Sequence, residues 1–242
     1  MIALWGTIVG IFAIGGLVGG IVAGWLADKY GRTIVMMGNN FFFILGSLLL
    51  GFSVSPTMLA IARVVVGVGA GISTVVMPMY LGEISPTNYR GAIGVFGQLA
   101  ITTGIFVSQF MGLYMSVVPT WRWLLSFTLF TAILQLGLLV FCVHTPRWLI
   151  MKGRNEEAKV AILKLKGKNA VAEAEADYEY LLEGQANAEN STTLSFLELI
   201  KSKDLRKPLI IALTLQIAQQ VINFFFFFFF FFQLISTLSN PK

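Results

Sequence analysis

Two kinds of residue in this apolar chain have types and spacings that can do chemistry: charges at the ends of long apolar runs, and amides that share a helix face. Arg63 opens and Glu83 closes a glycine-rich apolar segment that ends Pro78-Met79-Tyr80-Leu81-Gly82-Glu83-Ile84-Ser85-Pro86, with Arg90-Gly91 just beyond. An ionisable side chain in hydrocarbon costs several kcal/mol, so each needs a partner or a polar cavity. Asp28, Lys29 and Arg32 crowd a short turn between two apolar runs. Gln98 is an isolated amide in an apolar stretch, with Thr102, Thr103 and Gln109 further along. Gln216, Gln219, Gln220 and Asn223 fall at offsets of 0, 3, 4 and 7, which is one face of a helix. Each amide offers two donors and an acceptor, the inventory for holding hydroxyl groups, and four of them on one face imply a wet cavity rather than lipid.

Enzymatic chemistry is excluded by what is missing from the sequence. No nucleophile–base pair, metal cluster or phosphate loop is present, and the glycines at 67, 69 and 71 follow no strand. Cys142 is the only cysteine, so there is no internal disulfide or cysteine-pair metal site, and the single His144 reads as a helix-end residue. No cofactor is implied. Of 242 residues, 56% are hydrophobic and 12% charged, about half the charge of a soluble domain. The net charge of +5 reflects basic loops on one side of a membrane rather than nucleic-acid binding.

The elements that position these residues are apolar helices. Residues 1–27 make a helix of about 40 Å, enough to cross a bilayer with some tilt. Gly16, Gly20 and Gly24 are expected to line one face for close helix packing, as are Gly67 and Gly71 in the third span. Further spans are expected at about 33–54, 57–84, 87–115 and 123–143, with a sixth from Pro208. Asn39 and Asn40 can hydrogen-bond across helices or sit in the membrane interface, of which the second is expected, and Trp121-Arg122-Trp123 is expected as an anchor at a membrane edge.

Arg63 with Gly67, Gly69 and Gly71, then Pro-x-Tyr-x-x-Glu-x-x-Pro and Arg-Gly, resembles the fourth helix and following loop of the sugar porter family of the major facilitator superfamily. The turn from Gly24 to Arg32 resembles that superfamily's G-x-x-x-D-[RK]-x-G-R loop, and Pro146-Arg147-Trp148-Leu149 resembles the end of P-E-S-P-R-[WF]-L. The resemblance implies an all-α polytopic membrane protein with a partial major facilitator fold, here helices two to seven. It implies a cytoplasmic charge network of Asp28, Arg32, Glu83, Arg90 and Arg147, and a hexose site formed by Gln98, Ile101, Ile105, Gln216, Gln219, Gln220 and Asn223. Arg63 falls where symporting relatives keep a proton-coupling partner. The chain departs from the pattern at three places. Thr33 stands where a second basic residue is usual and His144 where the glutamate stands. Asn223 follows Gln220 by three residues instead of five, without the usual glycine.

The expected organisation is five membrane helices in 1–146, a cytoplasmic helical insert at 147–207, the first helix of a second half at 208–236, degenerate after 223, and a tail at 237–242. In the insert, Asn155 is expected to cap one helix that ends at Gly167, a second helix runs from about 170 to 183, and Ser195 with Glu198 forms a capping box for a third. Fourteen of the seventeen Lys and Arg fall on the insert side, which the positive-inside rule places in the cytoplasm. The expected function, in an intact protein of the plasma membrane, is alternating-access transport of a hexose such as glucose. The alternatives are a proton-coupled symporter, a sugar sensor and a truncated non-transporting protein. Oligomeric state is not legible. The nine phenylalanines at 224–232 are low complexity that no transport chemistry requires.

Overall fold

In a computed structural model, residues 2–86, 89–115, 121–167, 171–190 and 206–221 are described, and among them every regular element is a helix. The Ser195–Glu198 capping box, Asn223 and the phenylalanine run lie outside the described residues, as do the side chains of Trp121, Arg122 and Trp123. Two compact units divide the chain, Met1–Ala186 and Asn187–Lys242. The second contributes one described helix, 206–221.

In the first unit, α1 (Ile2–Tyr30) and α2 (Arg32–Gly51) reverse direction at Gly31, whose φ of +92° suits a residue without a Cβ. Helix α3 (Pro56–Ile84) begins with Pro56 at its first turn, and the Ser55 hydroxyl accepts from the Met58 N–H at 3.2 Å, so the start is doubly specified. Helices α4 (Arg90–Met115) and α5 (Trp121–Leu139) follow. Among the described residues four helices, α1 to α4, are long and apolar enough to cross a membrane. Helix α5 stops before the expected boundary at 143. The Phe141 and Cys142 N–H groups bond back to Leu138 and Leu139 at 3.1 and 3.0 Å, a tightening that ends the helix and places Cys142 in the link that follows.

The core of the bundle is the seam between α1 and α3. A Cβ on Gly15 would overlap the Val64 carbonyl, one on Gly19 the Val68 carbonyl, and those on Gly67 and Gly71 the carbonyls of Phe12 and Gly16. The glycine face expected on α1 is therefore shifted by one residue. Gly15 and Gly19 lead it, Gly16 and Gly20 border it at 3.7 and 4.0 Å from α3 carbonyls, and Gly24 faces open space. The residues at 15 and 19 are as regularly spaced as those at 16 and 20, so periodicity identifies a stripe without fixing its centre.

Asn39 and Asn40 correct a second expectation, because both are buried within the helix pack and not in the interface. Asn39 Nδ2 donates to the Gly69 carbonyl at 2.9 Å and to Ser73 Oγ at 2.7 Å, tying α2 to α3, while Asn40 donates back to Met36. Gly69 lacks a side chain, which leaves its carbonyl open to such a partner.

After the link come α6 (Pro146–Met151), α7 (Asn155–Lys166) and α8 (Val171–Asn190). They share a small core of Trp148, Leu149, Ile150, Ala158, Ala161, Ile162, Ala174 and Tyr178. Asn155 is the first helical residue of α7 and not its cap. Arg154 holds the cap position and makes a two-point ion pair with Glu157 at 2.7 and 2.6 Å, so the acidic first turn is met by a side chain one residue earlier than expected. Gly167, at φ +96°, closes α7. Lys166 pairs with Asp177 at 2.7 Å and tethers α8 to the end of α7.

Candidate functional site

At one end of the bundle three helices bring charge together. Arg32, at the first turn of α2, is only 4% exposed, and its Nη2 lies 2.8 Å from Glu83 Oε1 on α3 and 3.3 Å from Asp28 Oδ1 on α1. Its Nη1 also donates to the Ala27 carbonyl at 3.2 Å. Glu83 is 11% exposed, so the Arg32–Glu83 pair is largely screened from water while Asp28, at 60%, is not. The pair is made through one oxygen. Glu83 Oε2 and Arg32 Nε have no hydrogen-bond partner among the described residues, which leaves the contact weaker than a two-point guanidinium–carboxylate fork. Arg90 and Arg147 are exposed and make no ion pair among the described residues. The Ser85–Pro86 break separates Arg90 from the end of α3.

The segment that leaves α5 closes over the same end. The Val143 carbonyl accepts from Tyr80 Oη at 3.1 Å and from Thr33 Oγ1 at 3.4 Å, so it is bonded to α3 and α2 at once. Five residues on, the Trp148 indole N–H donates to the Asp28 carbonyl at 3.1 Å, and its ring lies against Gly31, where a Cβ would sit 3.1 Å from it. Gly31 is thus required twice, by its backbone angle and by this approach. Two of the sequence departures meet here: Thr33 bonds the carbonyl immediately before His144. Sequence reasoning missed Tyr80 and Trp148 as members of this site. A signal was present in Tyr80, which stands three residues before Glu83 and so on the same face of α3.

The amides occupy different surroundings. On α4 Gln98 is half-buried, and Ile101 and Ile105, at the same face, are 49% and 52% exposed. In the second unit Gln219 is half-buried and Gln216 and Gln220 are exposed. Arg63 is half-buried on α3, and its Nε is buried without a hydrogen-bond partner.

A bundle of apolar helices, closed at one end by a small set of charges and by a helical cluster beyond, defines a membrane protein of the major facilitator fold. The fold matches the proton:xylose symporter XylE bound to 6-bromo-6-deoxy-D-glucose with a TM-score of 0.68 at 22% identity, over 76% of this chain and 45% of that one. It also matches the partially occluded inward open conformation of the xylose transporter XylE from E. coli, with a TM-score of 0.66 at 23% identity over 75% and 49%. The family model described as "Sugar (and other) transporter" matches residues 2–239, and the chain belongs to that family. It is an integral membrane protein of a transporter family and not an enzyme. Curated relatives include facilitated glucose transporter member 3 of Canis lupus familiaris, 36% identical over 90% of this chain and 45% of that protein. Member 5 of Ovis aries is 40% identical over 90% and 44%, and member 4 of Mus musculus 37% over 90% and 43%. The chain spans less than half the length of these relatives.

Proposed function

We propose that these residues form part of a carrier that moves a hexose such as glucose across the plasma membrane by alternating access. The observation that carries this reading is the family match over residues 2–239 together with relatives that are facilitated glucose transporters. Alternating access needs two sets of helices that rock about a shared site near the midplane. In this reading Gln98, Ile101 and Ile105 supply one wall of the site, and Gln216, Gln219, Gln220 and Asn223 supply the other. Asp28, Arg32 and Glu83, with Arg90 and Arg147 as further cations, act as an inner gate that holds the outward-facing state. Residues 147–207 form a cytoplasmic insert between the five helices of 1–146 and the helix that starts at 208.

A second reading, proton-coupled symport, is favoured by one observation: Arg63 keeps a buried guanidinium nitrogen without a partner inside a membrane helix, as a residue awaiting an acid would. Uniport remains the proposal because the relatives at 36 to 40% identity are facilitated glucose transporters.

The test is uptake of labelled glucose into proteoliposomes, by the 242 residues alone and by a twelve-helix carrier into which they are built. Saturable uptake is expected from the second alone. Within it, Gln98→Ala and Gln220→Ala each lower affinity roughly three- to tenfold, the worth of one hydrogen bond to a neutral hydroxyl. Unchanged kinetics in both variants would return these amides to helix packing. Uptake by the 242 residues alone that excess hexose inhibits would show that a shared site between two halves is not needed.

A further inference from the structure

The Arg32–Glu83 pair is reached from both sides by neutral contacts that come from one short stretch, 143–148. On the α3 side the Val143 carbonyl takes the Tyr80 hydroxyl, one helical turn before Glu83. On the α2 side the same carbonyl takes Thr33, the residue after Arg32. Trp148 completes the contact with α1: it is 5% exposed, bonds the Asp28 carbonyl and covers Gly31, the residue before Arg32. The contacted residues 28, 31, 33 and 80 therefore flank the pair in sequence and in space, and none of the contacts is ionic.

From this arrangement we infer that the 143–148 stretch is a positioning brace for the Arg32–Glu83 pair, coupling the α6–α8 cluster to the charged end of the helices by neutral hydrogen bonds and one indole ring. A single-oxygen ion pair has little geometric definition of its own, and two unpartnered polar atoms in it leave the side chains room to part. Its separation is then limited by how firmly the turn at 28–33 and the last turn of α3 are held. The brace holds both. Linkage makes the effect reciprocal: whatever the brace contributes to the pair, the pair contributes to the brace. This coupling does not depend on whether the chain carries sugar, so its failure and a failure of the transport reading are separately visible.

Cys142 provides a native reporter, since it is the only cysteine in the chain, is half-buried, and precedes Val143. The experiment measures the rate at which a water-soluble maleimide labels Cys142 in the full chain in detergent, with a monodisperse elution profile required of every variant. When opening is fast relative to labelling, the rate follows the open population. Thr33→Val and Trp148→Phe each remove one neutral bond and should raise the rate roughly three- to tenfold, while Tyr80, whose hydroxyl also contacts Cys142, is left unchanged so that the reporter keeps its surroundings. Thr33→Val serves if a ring variant fails to fold. The decisive variant is Glu83→Gln, which touches neither Cys142 nor the brace and should also raise the rate at least threefold. Combined with Thr33→Val it should raise it by less than the product of the two. Thr74→Val, which removes only a bond within α3 on an exposed face, should leave the rate unchanged. A Glu83→Gln rate within twofold of the parent, or a double variant equal to the product, would show that the brace and the pair are independent and overturn the inference.

Discussion

Helices α3 and α4 follow one another and are both long and apolar, yet they are held in opposite ways. A third of the apolar window of α3 is buried, and none of that of α4. Helix α3 has Gly67 and Gly71 against α1 and Gly69 against Phe42 and Phe43 of α2, so neighbouring backbones or rings come close on two sides. On α4, Gly91, Gly94 and Gly104 have nothing among the described residues within 4 Å of where a Cβ would stand. Glycine in a membrane helix is thus two different signals. Where the backbone of another helix approaches, it provides the packing that the hydrophobic effect cannot supply in lipid. Where nothing approaches, it is a plain cost to the helix of about 0.5 to 1 kcal/mol relative to alanine.

The contrast is sharpest at Gly71. Gly71→Val must force α1 and α3 apart, with an expected loss of about 3 kcal/mol or more, read as a large fall in the thermal midpoint in detergent. A midpoint within a degree of the parent would mean the seam is not formed. Next in size is the charged end, where Glu83→Gln leaves Arg32 mostly buried with Asp28 as its remaining acidic partner. The expected cost is near the lower end of roughly 3 to 5 kcal/mol for breaking a buried pair, because Asp28 remains. The same measurement at high salt should give almost the same loss, since a pair this shielded is little screened. A loss that vanishes in salt would place the pair at the surface.

Smaller again is Asn39→Ala, which removes the α2 tie to Gly69 and Ser73 and should cost about 1 kcal/mol, in line with interhelical bonds in membranes. An unchanged midpoint would return Asn39 to the headgroup region. The smallest effect belongs to α4. Gly104→Ala should be neutral or stabilising by up to about 1 kcal/mol, since no neighbour opposes the added methyl. Marked destabilisation there would show that another helix covers α4 in the membrane.

How far the chain can be read without its structure varies by residue. The number and order of helices up to α5 follow from apolar length, and Ser55-Pro56 and Gly31 mark boundaries because capping and positive φ are local requirements. Glu83 was legible as needing a cation, because charge in an apolar setting demands a partner, but Arg32 and Arg90 were equal candidates and the fold brings only Arg32 to it among the described residues. Asn39 was not legible, because an amide near a helix start satisfies the same local rules whether it meets water or a carbonyl across the interface. Nor does spacing alone distinguish Asn155 as the cap from Arg154, whose side chain pairs with Glu157 and makes no capping hydrogen bond.

What the sequence determined by itself is what depends on a few consecutive residues: the membrane class, the helix boundaries to within a few residues, and the need for a counter-charge at Arg32 and Glu83. The tertiary structure alone decided which of two equally periodic glycine stripes forms the seam, and that Asn39 crosses to α3. It decided that Val143 and Trp148, more than sixty residues from Tyr80 and more than a hundred from Arg32, close over the charged end. The physical reason is that a helix repeats the same face every few residues, so its sequence offers several equivalent surfaces. Only the facing backbone, through which carbonyl is free and where a Cβ would overlap, selects one.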